Sequence, residues 1–179
     1  MKRFFSTVVV IAAISTAASA TPAPELPDSS HTPGALNPDV TQSNIADNIC
    51  KANWTSTVRP NSTHTTALKK KQLAEWGYTD RNPAHYEEDH LISLQLGGAP
   101  DDDANLWPER YTGIWGARIK DTLEGELKRR ICLDPGDPDH ITLKQGQDAI
   151  SHDWKQAYAD YVCTRHHPAL TAIIRKHCH

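Results

Sequence analysis

Four cysteines in a chain with an export-type N-terminus limit the possible folds more than any other feature of this sequence. Lys2 and Arg3 precede an uncharged, mainly apolar run over residues 4–18, and Ala18-Ser19-Ala20 forms a small-x-small cleavage pattern. The apolar run is shorter than the roughly 18 residues that a membrane-spanning helix needs. A secretory signal peptide over residues 1–20 is therefore favoured over a membrane anchor. We expect a secreted protein, extracellular or periplasmic, with no membrane contact in its mature form.

Export decides how the cysteines are interpreted, because an even set in an oxidising compartment is expected to form disulfides. No two of the four have the C-x-x-C spacing of a structural zinc site or a thioredoxin-like redox centre. Four cysteines allow three pairings, and the sequence does not choose among them. Our working prediction pairs Cys50 with Cys132 and Cys163 with Cys178.

The length and composition suit one globular domain, because the 179 residues are 38% hydrophobic and 23% charged. The formal net charge of -3 gives no global basic field, so any nucleic-acid binding must come from a local site. Residues 21–40 contain five of the twelve prolines and predict a flexible linker. Residues 41–179 then form a single domain, which we expect to be a monomer. Asn53 and Asn61 begin N-x-S/T sequons, which matter only if the source glycosylates its exports.

Apolar periodicity predicts a helix-rich α+β fold with one small β element. Apolar residues recur every four positions up to Ile131, and Thr142 with Gln145 forms a capping box that opens a further helix. Two short strands are expected on either side of a polar, glycine-bearing loop, the second strand being ended by Pro108. The predicted elements are helices over 65–76, 115–131 and 142–161, strands over 85–90 and 105–107, a loop over 91–105, and a last short helix from Pro168.

Asp89 and His90 are the residues that first indicate chemistry. A carboxylate supplies a hard oxygen ligand and the adjacent imidazole a proton acceptor, and a hydrolytic metal site needs both. A regular strand would point the two side chains to opposite faces, so they share a site only if the chain bends there. The sequence lacks the G-x-S-x-G, Walker, dinucleotide-binding and H-E-x-x-H motifs of other enzyme classes.

The stretch YEEDHLISLQLGG at residues 86–98, followed by NLWPE at 105–109 and KDTLE at 120–124, resembles the HNH (ββα-metal) endonucleases. The resemblance covers roughly residues 86–132. More narrowly, these segments resemble a set of secreted, HNH-like proteins of poorly defined role. It implies a small ββα-metal core at about residues 85–131, in which two strands and a helix surround one divalent metal. Additional helices would flank this core.

The resemblance implies roles for three residues of this stretch. His90 takes the position of the general base, and Asp89 that of a metal ligand. Asn105, fifteen positions after the histidine, takes the position of the catalytic-site asparagine that braces the loop and holds the imidazole.

The third ligand position of the family, a His or Asn near the start of the helix, has no counterpart within residues 114–118. Asp121 is the substitute that we predict as second metal ligand, with Glu124 as a possible extra ligand. Lys120 and Arg118 are candidate phosphate-binding residues. Oxygen ligands favour Mg²⁺ or Mn²⁺ over Zn²⁺ as the cofactor.

The expected function is that of a secreted, metal-dependent nuclease that hydrolyses DNA or RNA with low sequence specificity. The alternative is a catalytically inactive secreted binding module on the same scaffold. The missing third ligand favours the module, whereas Asp89, His90 and Asn105 together favour the enzyme. The sequence does not distinguish DNA from RNA.

Overall fold

Four α-helices and a two-stranded sheet make up the described part of this chain. The structure, a computed structural model, describes residues 25–164 and 177–178. The predicted signal peptide and the short helix predicted from Pro168 lie outside these residues. The expected helix-rich α+β class is confirmed. The elements are α1 (Trp54–Val58), α2 (Ser62–Glu75), β1 (Tyr86–His90), β2 (Leu106–Arg110), α3 (Ala117–Ile131) and α4 (Leu143–Tyr158), with 3-10 turns at Gln42–Asp47, Pro83–His85, Leu94–Leu96 and Asp103–Asn105 and a π-helical turn at Ala159–Cys163.

The sheet is a single antiparallel pair in which His90 lies opposite Leu106. The sequence predicts that Pro108 ends the second strand, but Pro108 lies inside β2, opposite Glu88. Hydrogen-bonded and non-hydrogen-bonded pairs alternate along such a ladder, and Pro108 falls in a non-hydrogen-bonded pair. Its missing N–H therefore removes no bond between the strands.

α3 packs against α4 through the apolar stripe that the sequence predicts. Leu123, Leu127 and Ile131 of α3 are fully buried in the main core. α4 contributes Ile150 and Trp154 to the same core. Lys120 lies on the same face, nearer the start of α3, and donates to Asp89 of β1, so this packing also sets α3 against the sheet.

Capping side chains set the starts of two helices. At α4, the Thr142 hydroxyl accepts from the Gln145 amide and the Gln145 side chain accepts from the Thr142 amide, so the predicted capping box is confirmed. α2 begins three residues earlier than the sequence predicts. The reason is that the Asn61 side chain accepts a hydrogen bond from the Thr63 amide and caps the helix there.

Residues 31–40, predicted as part of a flexible linker, pack against the loop between the two strands. Leu36 forms an isolated β-bridge with Gly98, and the Gly34 amide donates to the Ala104 carbonyl. Proline restricts the backbone to extended conformations, which leaves the other amides of such a segment free to pair with a neighbour. This part of the predicted linker therefore supports the loop.

Two disulfides cross-link the described part of the chain. Cys50 is bonded to Cys132 and Cys163 to Cys178, with Cα–Cα distances of 5.6 and 5.3 Å. The working pairing is confirmed, and it is consistent with a chain that meets an oxidising compartment. Among residues 25–164 and 177–178, no helix combines the length and the apolar composition that crossing a bilayer requires.

Candidate active-site cleft

A small cleft opens between the end of β1 and the first turns of α3. Its volume is about 100 Å³, which is room for several water molecules or one hydrated ion. Four of the predicted site residues line it: Asp89, His90, Asp121 and Glu124. The fold thus brings together side chains from a strand and a helix that lie about thirty residues apart in the sequence.

His90 is the last residue of β1 and is only 6% exposed. Its Nε2 lies 2.9 Å from the carbonyl oxygen of Pro100. A carbonyl only accepts, so Nε2 carries the hydrogen and Nδ1 is the acceptor of the neutral ring. Burial lowers the pKa of His90 below its ordinary value. The imidazole is therefore neutral at neutral pH, as a general base must be.

Asp89 and His90 leave β1 on different sides yet line the same cleft. The Asp89 carboxylate meets α3, where Lys120 Nζ donates to Oδ2 at 2.7 Å. The His90 ring meets the loop at Pro100. Because β1 ends at His90, the chain turns there and the two side chains need not stay on opposite faces of a sheet.

Asn105 holds the loop that follows the histidine. Its side chain is fully buried, and Nδ2 donates to the carbonyls of Ile92 and Ala99 at 3.0 Å each. Its Oδ1 accepts from the Ile92 amide at 2.9 Å. This arrangement agrees with the bracing role that the resemblance implies. Since the side chain is wholly enclosed, Asn105 is a positioning residue and not one that meets substrate.

Gly98 makes the tight loop possible. A Cβ atom at this position would lie 1.7 Å from the Ile92 carbonyl oxygen and 2.8 Å from Asn105 Nδ2. The hydrogen bonds of Asn105 to this loop therefore require a residue without a side chain here.

Lys120 differs from the sequence-based expectation of a phosphate contact. It is 0% exposed, and its ammonium donates to Asp89 Oδ2, Glu124 Oε1 and the His90 carbonyl at 2.7, 2.7 and 2.8 Å. An ammonium has three N–H donors, and all three are used. Lys120 therefore joins α3 to β1 and has no donor left for a phosphate.

Glu124, predicted as a possible extra metal ligand, is 6% exposed and already paired on both oxygens. Oε1 accepts from Lys120 at 2.7 Å, and Oε2 accepts from the Ser93 hydroxyl at 2.6 Å. Burial nevertheless raises the pKa of Glu124 above its ordinary value. Ser93 was not singled out by the sequence analysis, because a lone serine in a loop carries no pattern.

Asp121 lies at the exposed mouth of the cleft. Partial burial and the neighbouring Asp89 charge raise the pKa of its carboxyl, whereas the charges of Lys120, Arg118 and Arg59 oppose that shift. Both arginines are exposed. Arg118 thus stays available for the phosphate contact that the sequence predicts. Arg59, which directly follows α1 and lines the cleft, is a second cation that no spacing in the sequence indicates.

Two further carboxyl groups lie near Asp89. Glu87 and Glu109 lie directly opposite each other across the sheet. Burial, followed by the charge of Asp89, raises the pKa of Glu87 to about 7 and that of Glu109 well above its ordinary value. Opposed like charges destabilise a sheet unless one is protonated, so Glu109, 1% exposed, is neutral at neutral pH. In the sequence, the spacing of Glu87 and Asp89 could have indicated this acidic face, because residues two apart in a strand lie on the same side of the sheet.

The predicted metal site does not fit the arrangement of these side chains. Asp89 and Asp121 both line the cleft, but the Asp89 carboxylate is already paired with the Lys120 ammonium. Within residues 25–164 and 177–178, no three His, Cys, Asp or Glu side chains are grouped as a metal ion requires.

The chain matches no protein-family model, no curated protein and no solved structure.

Proposed function

We propose that this protein is a secreted nuclease with an HNH-like ββα core that hydrolyses phosphodiester bonds of DNA or RNA. The observation that carries the proposal is the state of His90, a neutral imidazole in the cleft whose Nε2–H is held by the Pro100 carbonyl at 2.9 Å. The order β1, loop, β2, α3 and the bracing of that loop by Asn105 support the HNH-like assignment.

The proposed hydrolysis follows from the tautomer of His90, in which Nε2 carries the hydrogen and Nδ1 can accept a proton. His90 Nδ1 takes a proton from a water molecule, and the water oxygen attacks the phosphorus. The bond from phosphorus to the 3′ oxygen breaks, and that oxygen takes a proton from solvent. The family resemblance implies a product with a 5′-phosphate.

Two exposed cations suit the negative polymer. Arg59 lines the cleft, and the charges of both Arg59 and Arg118 act on Asp121 at its mouth. The whole chain carries a formal net charge of -3, so attraction to nucleic acid is local. We expect modest, strongly salt-dependent affinity and low sequence specificity.

One observation favours a second candidate, a binding module that holds nucleic acid without cutting it. Asp89 is neutralised by Lys120 at 2.7 Å and is not free to polarise a water or a metal. The two arginines would bind phosphate equally well in such a module.

The test compares His90→Ala with His85→Ala, an exposed histidine just before the same strand. Plasmid and single-stranded RNA are incubated with each purified protein between pH 4.5 and 8.5. We expect His90→Ala to lower the cleavage rate about 10²–10⁴-fold, the usual contribution of a general base, and His85→Ala to leave it unchanged. Because burial lowers the pKa of His90, wild-type activity should rise with pH at values below 6.5 and be flat above it.

Cleavage by His90→Ala at the wild-type rate, or with the same acidic limb in its pH profile, contradicts the proposed role. Salt-sensitive binding without any cleavage, in wild type and variant alike, selects the binding module.

A further inference from the structure

The ammonium of Lys120 lies in an all-oxygen cage. One carboxylate oxygen comes from β1, one comes from the next turn of α3, and the third ligand is a backbone carbonyl. The distances from Nζ are 2.7 Å to Asp89 Oδ2, 2.7 Å to Glu124 Oε1 and 2.8 Å to the His90 carbonyl. Carboxylate and carbonyl oxygens are the ligands that hard divalent cations prefer. The cage therefore has the composition of a cation site, and a nitrogen occupies its centre.

Lys120 cannot readily give up its charge. Burial by itself would lower the pKa of the ammonium, but the charges of Asp89 and Glu124 raise it above its ordinary value. A buried charge is stable only when it is paired and hydrogen-bonded, and Lys120 meets both conditions. All three N–H groups of the ammonium are held by oxygen atoms, as an enclosed positive charge requires.

The remaining carboxyl group of the cluster does not call for a second cation. Glu109 lies next to Asp89, and burial together with that neighbour raises its pKa well above the ordinary value. The carboxyl oxygens of Glu109 are buried and have no hydrogen-bond partner within the described residues, so this group is uncharged. Lys120 is then balanced by Asp89 and Glu124 alone.

We propose that Lys120 is a built-in cation that takes the place of a divalent metal at Asp89 and Glu124, so that the wild-type cleft does not bind Mg²⁺ or Mn²⁺ there. A divalent ion that approached these carboxylates would be repelled by the enclosed ammonium. This replaces the metal expected from the sequence at Asp89. The inference concerns ion binding and does not depend on whether the cleft hydrolyses nucleic acid.

The test is a titration with Mn²⁺, followed by calorimetry and by the electron paramagnetic resonance of the free ion at pH 7.5. Three purified proteins are compared: wild type, Lys120→Met, and the control Lys128→Met, which removes a half-buried lysine of the same helix outside the cleft. We expect Lys120→Met to bind one Mn²⁺ at least about tenfold more tightly than wild type, because the repelling charge is gone. Lys128→Met should behave as wild type, and adding Asp89→Asn to Lys120→Met should abolish the gain.

Three outcomes would overturn the proposal. The first is one Mn²⁺ bound by wild type and lost in Asp89→Asn. The second is a folded Lys120→Met protein that binds Mn²⁺ no more tightly than wild type. The third is a gain that survives in the double variant. If Lys120→Met does not fold, Lys120→Gln, whose amide keeps a donor toward the carboxylates, is titrated in its place. All readouts are binding, so a protein inactive on nucleic acid still decides the question.

Discussion

Single residues in the cleft carry unusual protonation states, and Glu88 gives the most direct test of them. Its two carboxyl oxygens are buried without a hydrogen-bond partner in the described part of the chain, and burial raises its pKa to about 8, although the charge of Lys69 lowers it in part. The folded chain therefore holds a proton that the unfolded chain releases near its ordinary pKa. Stability from this group is fully present below about 4.5 and is lost as pH rises through 8.

We expect the free energy of unfolding of wild type to fall between pH 6 and pH 9, and Glu88→Gln to flatten that fall. Urea unfolding across this range measures it. Glu75→Gln, at an exposed glutamate of α2, is the matched control and should keep the wild-type slope. An unchanged slope in Glu88→Gln would show that this carboxyl ionises at its ordinary pKa.

For single residues, the sequence predicts which side chains lie in the cleft better than it predicts their burial and pairing. Adjacency indicates Asp89 and His90, and both line the cleft. Lys120 reads as a phosphate contact because lysines are almost always exposed. Its burial depends on Asp89, which lies 31 positions away, and no local pattern encodes such a pairing.

At the scale of elements, the loop between the strands is held by close backbone approach. Gly98 has no room for a Cβ because the Ile92 carbonyl lies in its place. Gly125 lies in the middle of α3 on its exposed side, and a Cβ atom added there would have nothing within 4 Å. A Gly→Ala substitution at these two positions therefore distinguishes the effect of packing on stability from that of helix propensity.

We expect Gly98→Ala to destabilise the protein by about 2 kcal/mol or more, the scale of an overpacked site. Gly125→Ala should instead stabilise it by about 0.5–1 kcal/mol, because alanine is the better helix former. Chemical denaturation of both variants measures the difference. A Gly98→Ala protein as stable as wild type would mean that the loop rearranges easily. The loop would then not hold His90 in place through the Pro100 carbonyl.

Element types follow from the sequence, and their ends follow less well. The period-four stripe of α3 and the capping box of α4 are local signals, and both predictions are confirmed. β2 continues through Pro108 because this residue falls in a non-hydrogen-bonded pair. Which pairs are hydrogen-bonded is known only once the register with the partner strand is known. The packing of residues 31–40 on the loop is a long-range contact that proline content does not reveal.

At the scale of the whole molecule, the two disulfides differ in what they enclose. Cys50–Cys132 spans 82 positions and Cys163–Cys178 spans 15. Every residue that lines the cleft, from Thr55 to Glu124, lies inside the larger covalent ring. The larger ring restricts the unfolded chain more, and so it should stabilise the fold more.

Replacing Cys50 and Cys132 together by alanine should lower the free energy of unfolding by about 4.5 kcal/mol, against about 3 kcal/mol for Cys163 and Cys178, by the loop-entropy relation. Urea unfolding of the two double variants under oxidising conditions compares them. A larger loss for the shorter ring would show that local packing outweighs the chain-entropy effect.

The enclosure of the cleft by the larger ring matters to the cell that makes the protein. Thiols stay reduced in the cytosol, so, if the chain is exported as proposed, the ring closes only after export. With the proposed reaction, a cleft that is fully braced only after export is at its weakest where it could damage the producer's own nucleic acid. The redox state of the compartment would then limit damage to the producer's own nucleic acid.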